Sequence, residues 1–220
     1  MDTEPQKLRI SEAAVDRQSN VQKSDTSETP PPPRGIRHAS YKRPGPPGYE
    51  CCDWEGVQNA ERVCDVLDAE LAPGKANPRF PILITGGVGL GKTGLAAVLF
   101  RIAKRPIWRR ADSFLLDLSM GRSDTTYRDE LRKTKEASLL VLDDLGVRKP
   151  SEGMFHMLFD VLELRKGAPT IITTNKSLDD LCGIYTDRRI YSRLAAGTVM
   201  MLTGKDRRIS DDGEIDVYQI

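Results

Sequence analysis

Gly86-Gly87-Val88-Gly89-Leu90-Gly91-Lys92-Thr93 is the stretch on which the fold turns. It fits G-x-x-x-x-G-K-[ST] in full. An apolar run, Phe80-Pro81-Ile82-Leu83-Ile84-Thr85, leads into it, and a helix-like segment from Gly91 to Lys104 follows. Strand, glycine turn and helix in that order are what a phosphate-binding loop requires. Glycines let successive backbone N–H groups curl around phosphate oxygens. The helix N-terminus adds partial positive charge, Lys92 a full charge, and Thr93 a hydroxyl for Mg²⁺. Gly86, Gly87, Val88, Gly89, Leu90, Gly91, Lys92, Thr93 and nearby Leu95 are the candidate nucleotide contacts. The plain alternative is a glycine-rich turn ending in Lys-Thr by chance, and the flanks argue against it.

Reading outward, 220 residues suit one α/β domain with a tail. A formal charge of +1 gives no global argument for nucleic acid, so any basic surface has to be local. Cys51, Cys52, Cys64 and Cys182 contain no C-x-x-C, and only His38 and His156 could assist them. That pattern supports neither zinc nor a disulfide framework. The start of the chain has no basic and apolar leader, and no apolar run reaches the length of a membrane span. A soluble, cytoplasmic protein is the expectation, with no membrane partner.

Residues 1–48 hold eight of the 14 prolines and few apolar side chains. They read as a disordered, proline-rich tail, because too little apolar area is available to offset the entropy of ordering. Arg34, Arg37, Tyr41, Lys42 and Arg43 read as solvated linker before they read as a nucleic-acid contact. Order is expected from Tyr49, with a helix over Trp54–Leu71, a phosphate-loop domain over 49–208 and a short C-terminal tail over 209–220. Within the domain, strands are predicted at 81–85, 106–110, 138–142, 169–175 and 198–202. Helices fall between them, including one capped by Ser151 and a short one at 187–195. Such alternation implies a parallel sheet covered on both faces.

Leu139-Leu140-Val141-Leu142 reads as a strand buried on both faces, and it ends in Asp143-Asp144. Ligands of such sheets bind beyond the carboxyl ends of the strands. Asp143 is thereby placed to hold Mg²⁺ opposite Thr93, and Asp144 to orient or deprotonate a water. Thr173-Thr174-Asn175 ends the fourth strand, where Asn175 can hydrogen-bond that water or the γ-phosphate; the alternative is a turn signal. Asp187-Arg188-Arg189-Ile190-Tyr191-Ser192-Arg193-Leu194 could deliver an arginine to a neighbouring subunit's γ-phosphate, Arg193 first and Arg189 second. A solvated basic helix face is the alternative there.

In this order the motifs resemble the AAA+ ATPases, and more closely the DnaC/DnaI helicase loaders and their IstB-like relatives. Gly86–Thr93, Leu139–Gly146, Pro169–Asn175, Ile190–Leu194 and Leu202–Arg208 carry the resemblance, which spans about 50–208. It implies a three-layer P-loop fold with a five-stranded parallel sheet in the order 5-1-4-3-2. It also implies ATP with Mg²⁺, weak hydrolysis, a likeness of Asn175 to sensor 1 and of Arg193 to a trans-acting finger, and a homo-oligomer when ATP is bound. Arg208 matches a family arginine without a clear role. Most AAA+ proteins carry Glu where Asp144 stands, whereas the loader subfamily favours Asp, which points to slow turnover. The stretch after Leu202 is too short for a full helical lid domain.

The resemblance implies work at single-stranded DNA and a replicative helicase as partner. A transposition helper with a transposase as partner, and a nucleotide-gated binding module with little hydrolysis, are the alternatives. Arg109, Arg110, Arg122, Arg128, Arg132, Lys133 and Lys135 would make a phosphate-tracking groove if they shared one face.

Overall fold

The computed structural model describes residues 35–71, 79–121, 125–186, 188–206 and 215–219, all within one compact unit. The strands are β1 (Ile82–Gly86), β2 (Pro106–Arg110), β3 (Leu139–Asp143), β4 (Thr170–Thr173), β5 (Thr198–Gly204) and β6 (Ile215–Gln219). The helices are α1 (Ala60–Leu71), α2 (Lys92–Ile102), α3 (Ala111–Met120), α4 (Thr125–Glu136), α5 (Glu152–Leu164), α6 (Leu178–Tyr185) and α7 (Arg188–Ala195). The sheet runs β2-β3-β4-β1-β5-β6. Its first five strands are parallel and keep the predicted order.

Alternation along each strand builds two cores, since successive side chains point to opposite faces. Ile82, Ile84, Val141, Ile171 and Met200 meet Val63, Leu67, Leu95 and Leu99 of α1 and α2. Leu83, Leu140, Leu142, Ile172 and Val199 meet Leu115, Leu158, Leu181 and Leu194 of α3, α5, α6 and α7. Every residue of β3 is buried, as a strand covered on both faces requires. Ser151 caps α5, its Oγ accepting from Met154 N.

Three expectations change. A sixth strand occupies part of the expected C-terminal tail, with β6 running antiparallel along β5 in the register Leu202↔Val217. Val217 is buried and Tyr218 exposed, the in-out alternation of an edge strand. The helix expected from Trp54 starts at Ala60, because 54–59 form turns and Asn59 adopts a left-handed φ of 49°. Trp54 is buried there, its Nε1 donating to Ile36 O at 3.2 Å and its N donating to Tyr41 Oη at 2.9 Å.

The third change is the start of order, which precedes Tyr49. Residues 35–53 form a strap from α1 to the end of α2. Ile36 N donates to Asp68 Oδ1 at 2.7 Å, and Lys42 N to Arg101 O at 2.8 Å. The Arg101 guanidinium lies 4.1 Å from the centre of the Tyr41 ring and donates to Arg43 O (3.2 Å) and to Cys52 O. Arg43 in turn donates to Ala103 O and Lys104 O. Polar side chains that read as solvated linker therefore serve as backbone ties. Among the described residues no helix follows β5, and none is long and apolar enough to cross a membrane.

Candidate nucleotide site

The carboxyl ends of β1, β3 and β4 and the start of α2 converge on a cleft of about 1000 Å³. Gly91 caps α2 in the left-handed region (φ 81°) with no side-chain cap, so the first-turn N–H groups face the loop that precedes them. Gly89 requires glycine twice over: its φ is 77°, and a Cβ would stand 1.6 Å from Asp206 Oδ1. Lys92 is buried, its Nζ donating to Gly86 O at 3.0 Å and to Gly87 O. Val88, Gly89, Leu90, Gly91, Lys92, Thr93 and Leu95 line the cleft, whereas Gly86 and Gly87 are not among its lining residues and only accept from Lys92 Nζ through their carbonyls.

Opposite the loop, Asp143 ends β3 at the floor of the cleft. Its Oδ1 accepts from Thr93 Oγ1 at 3.1 Å and from Thr173 Oγ1 at 2.6 Å. Burial pushes the Asp143 carboxyl up, Thr173's hydrogen bond opposes that, and the neighbouring Asp144 charge adds to it. Two hard oxygens 3.1 Å apart suit Mg²⁺, whose adjacent octahedral ligands at 2.0–2.1 Å lie about 2.9 Å from each other. Thr93 and Asp143 would hold the ion, which would neutralise charge on the terminal phosphates.

Asp144 turns sharply out of β3 with φ 60°. Its N–H donates to the same Thr173 Oγ1 at 2.9 Å, and its Oδ2 lies 3.6 Å from an Arg110 nitrogen. Thr173 is fully buried and so fixes both aspartates at once. Beyond it, Thr174 N donates to Ile84 O (3.0 Å) and Thr174 Oγ1 to Leu145 O (2.7 Å), while Thr85 Oγ1 donates to Lys176 O (2.5 Å). These bonds clamp the chain either side of Asn175, which lines the cleft beside Asp143 and Asp144. The assembled groups can bind a polyphosphate with its metal and place a carboxylate and a carboxamide near the reacting end.

The sequence pattern of the family described as IstB-like ATP binding protein matches residues 76–196. The chain belongs to that family. It is 30% identical over 115 residues to the ATP-binding protein of insertion sequence IS1162 from Pseudomonas fluorescens, covering 50% of each chain. The chain thus spans about half the length of that curated relative. A crystal structure of the DnaC helicase loader superposes with a TM-score of 0.55 at 20% identity, over 66% of this chain and 90% of that one. The replication initiator DnaA bound to AMPPCP and single-stranded DNA superposes at 0.55 and 25% identity, over 66% and 46%. The IstB-like chain therefore has the AAA+ P-loop fold and is an ATP-binding protein.

The other sequence candidates in this IstB-like chain lie outside the cleft or outside the described residues, except Arg110, which lines it. Arg193 is not among the residues lining the cleft; it ion-pairs with Glu163 of α5. Its guanidinium and that of Arg189 lie 5.8 Å and 4.7 Å from the Phe159 ring centre. Of the candidate groove, Arg109 and Lys133 pair with Glu130 (2.7 Å and 2.8 Å), Arg132 with Asp129 (3.4 Å), and Arg110 with Asp144. Arg122, Asp187 and Arg208 lie outside the described residues. What the sequence did not signal is the other wall of the cleft. Pro46–Asp53 and Gly56–Gln58, from the strap and the turn before α1, line it together with Val63, Trp108 and Leu202.

Proposed function

We propose that the protein is a slow, Mg²⁺-dependent ATPase that assembles on DNA and delivers a second protein to it. The observation that carries this reading is the double acceptance at Asp143 Oδ1 from Thr93 and Thr173, with Asp144 fixed to the same threonine. That geometry supports Asp143 as a metal ligand and Asp144 as a base, side by side at the end of β3 and opposite the phosphate loop. Lys92 compensates phosphate charge, Asn175 positions the attacking water with Asp144, and Arg193 reaches the γ-phosphate of a neighbouring copy. Asp144 is one methylene shorter than Glu and is paired with Arg110, which supports a slow switch over a fast motor.

The first reading of the cargo is a replicative helicase loaded onto single-stranded DNA, supported by the motif order shared with the loaders. The second is a transposase, favoured by membership of the IstB-like family and by the insertion-sequence relative. ATP turnover measured with single-stranded and with duplex DNA, over a salt series, separates them. Preferential stimulation by single strands, fading steeply with salt, is expected for a loader. Stimulation by duplex alone would move the assignment to the transposition helper, and no binding to either at low salt would remove DNA from the account.

A further inference from the structure

Helices α5 and α7 meet along matched pairs. Leu158 and Leu162 of α5 and Ile190 and Leu194 of α7 are buried in one core. Their chain neighbours Phe159 and Glu163 on α5, and Arg189 and Arg193 on α7, are each spaced i, i+4 and stand along the rim of that contact. The Arg193 Nε donates to Glu163 Oε1, and its guanidinium lies 5.8 Å from the Phe159 ring centre, which Arg189 approaches to 4.7 Å. With side chains 34% and 37% exposed, the Arg193–Glu163 pair adds little to stability. What sets it apart is where the bond falls. Glu163 takes only the Nε, and among the described residues neither Nη group of Arg193 donates a hydrogen bond. The Nη end of the fork can therefore meet an oxyanion with two parallel bonds.

We propose that Glu163 is a positioning residue that presents Arg193 to the nucleotide of a second copy of this chain. Held at Nε and along one face, the guanidinium is fixed by its own subunit with its Nη end left for the neighbour. An arginine side chain samples many rotamers, and ordering it only at the moment of contact costs free energy. A planar fork already set in place loses less for each hydrogen bond it forms. Arg193 does not line its own subunit's cleft, which fits an action between copies. The proposal rests on the reading of Arg193 as a finger acting in trans, and adds the residue that aims it.

The test measures ATP binding and turnover, with Mg²⁺ and DNA present, for wild type, Glu163→Ala, Glu163→Gln and Arg193→Ala, alone and in equimolar mixtures. Glu163→Ala should bind ATP and melt as wild type does but turn over ~10-fold more slowly, since misplacing a reacting group by about 1 Å costs up to ~100-fold. Glu163→Gln keeps an acceptor for Nε and should recover most of that loss. Mixed with Lys92→Ala, whose finger is intact, Glu163→Ala should regain turnover. Mixed with Arg193→Ala it should regain none beyond its own, because neither subunit supplies an aimed arginine. A merely structural defect would not sort the two mixtures in this way. Wild-type turnover in Glu163→Ala beside an inactive Arg193→Ala would overturn the positioning role and leave the finger standing. Turnover above wild type would overturn it too, making Glu163 a restraint on Arg193. Equal recovery in the two mixtures, or none in either, would also overturn it, and full turnover in Arg193→Ala would end both readings.

Discussion

Thr173 shows how a residue with no chemistry of its own can set a site. Its one hydroxyl donates to Asp143 and accepts from Asp144 N, so Thr173→Val removes both bonds from a fully buried position without changing side-chain shape. The expected loss of stability is ~1–3 kcal/mol, read from denaturant midpoints, with ATP turnover falling further than ATP affinity. Turnover equal to wild type would show that the aspartates do not depend on it. The thiols give a second check. Cys51 is exposed and lines the cleft, while burial pushes the Cys64 thiol up to about 11. Only the thiolate reacts, so an alkylating reagent at pH 8 should modify Cys51 well before Cys64, and ATP should slow the labelling of Cys51. Labelling indifferent to ATP would remove the strap from the nucleotide site. Lys92, Thr93, Asp143 and Asp144 are legible in the sequence because each sits at a fixed offset in a motif with a mechanism. Thr173 was visible only as part of Thr-Thr-Asn, and the Arg110–Asp144 pair not at all, because tertiary placement alone gives them partners.

At the scale of elements, ends matter more than interiors. Helix α4 is mostly polar, with Tyr127 and Leu131 packed against the core, and its last carbonyls are satisfied from another element. Arg165, buried just after α5, donates to Thr134 O, Ala137 O and Lys135 O (3.2, 2.7 and 3.1 Å) and to Pro169 O. Burial lowers its guanidinium to about 10, still far above neutral pH, so the charge persists inside the fold. Arg165→Met fills the volume but leaves those carbonyls without donors, and is expected to cost about 3 kcal/mol or more. A Tm within 1–2 °C of wild type, a shift worth well under 1 kcal/mol in a domain of this size, would contradict that. The same logic explains what the sequence concealed. The strap is held by backbone carbonyls and cation–π contact, not by an apolar stripe, so its proline-rich composition resembled a tail. Strand β6 is a short edge strand whose pairing depends on β5, and nothing local distinguishes it from a polar terminus.

For the whole molecule, alternating strands and helices imply a parallel sheet, the resemblance to the AAA+ ATPases supplies the order of its five strands, and the sheet keeps that order. Partnership between copies is a different matter, since it depends on a surface outside the cleft. Arg193 leans on Phe159 and Glu163, which leaves it to act, in the proposed assembly, on another copy's nucleotide. Mixing Arg193→Ala with Lys92→Ala should then recover part of the turnover that each lacks alone. No recovery on mixing, or full activity of Arg193→Ala alone, would place the finger elsewhere. The central claim is that Lys92 and Asp144 serve binding and chemistry at one site. Its most direct test is Mg²⁺-dependent ATP binding and turnover measured side by side for wild type, Lys92→Ala and Asp144→Asn. Lys92→Ala should lose both, and Asp144→Asn should bind ATP as wild type does while turnover falls to background. Equal turnover in all three proteins would contradict the account.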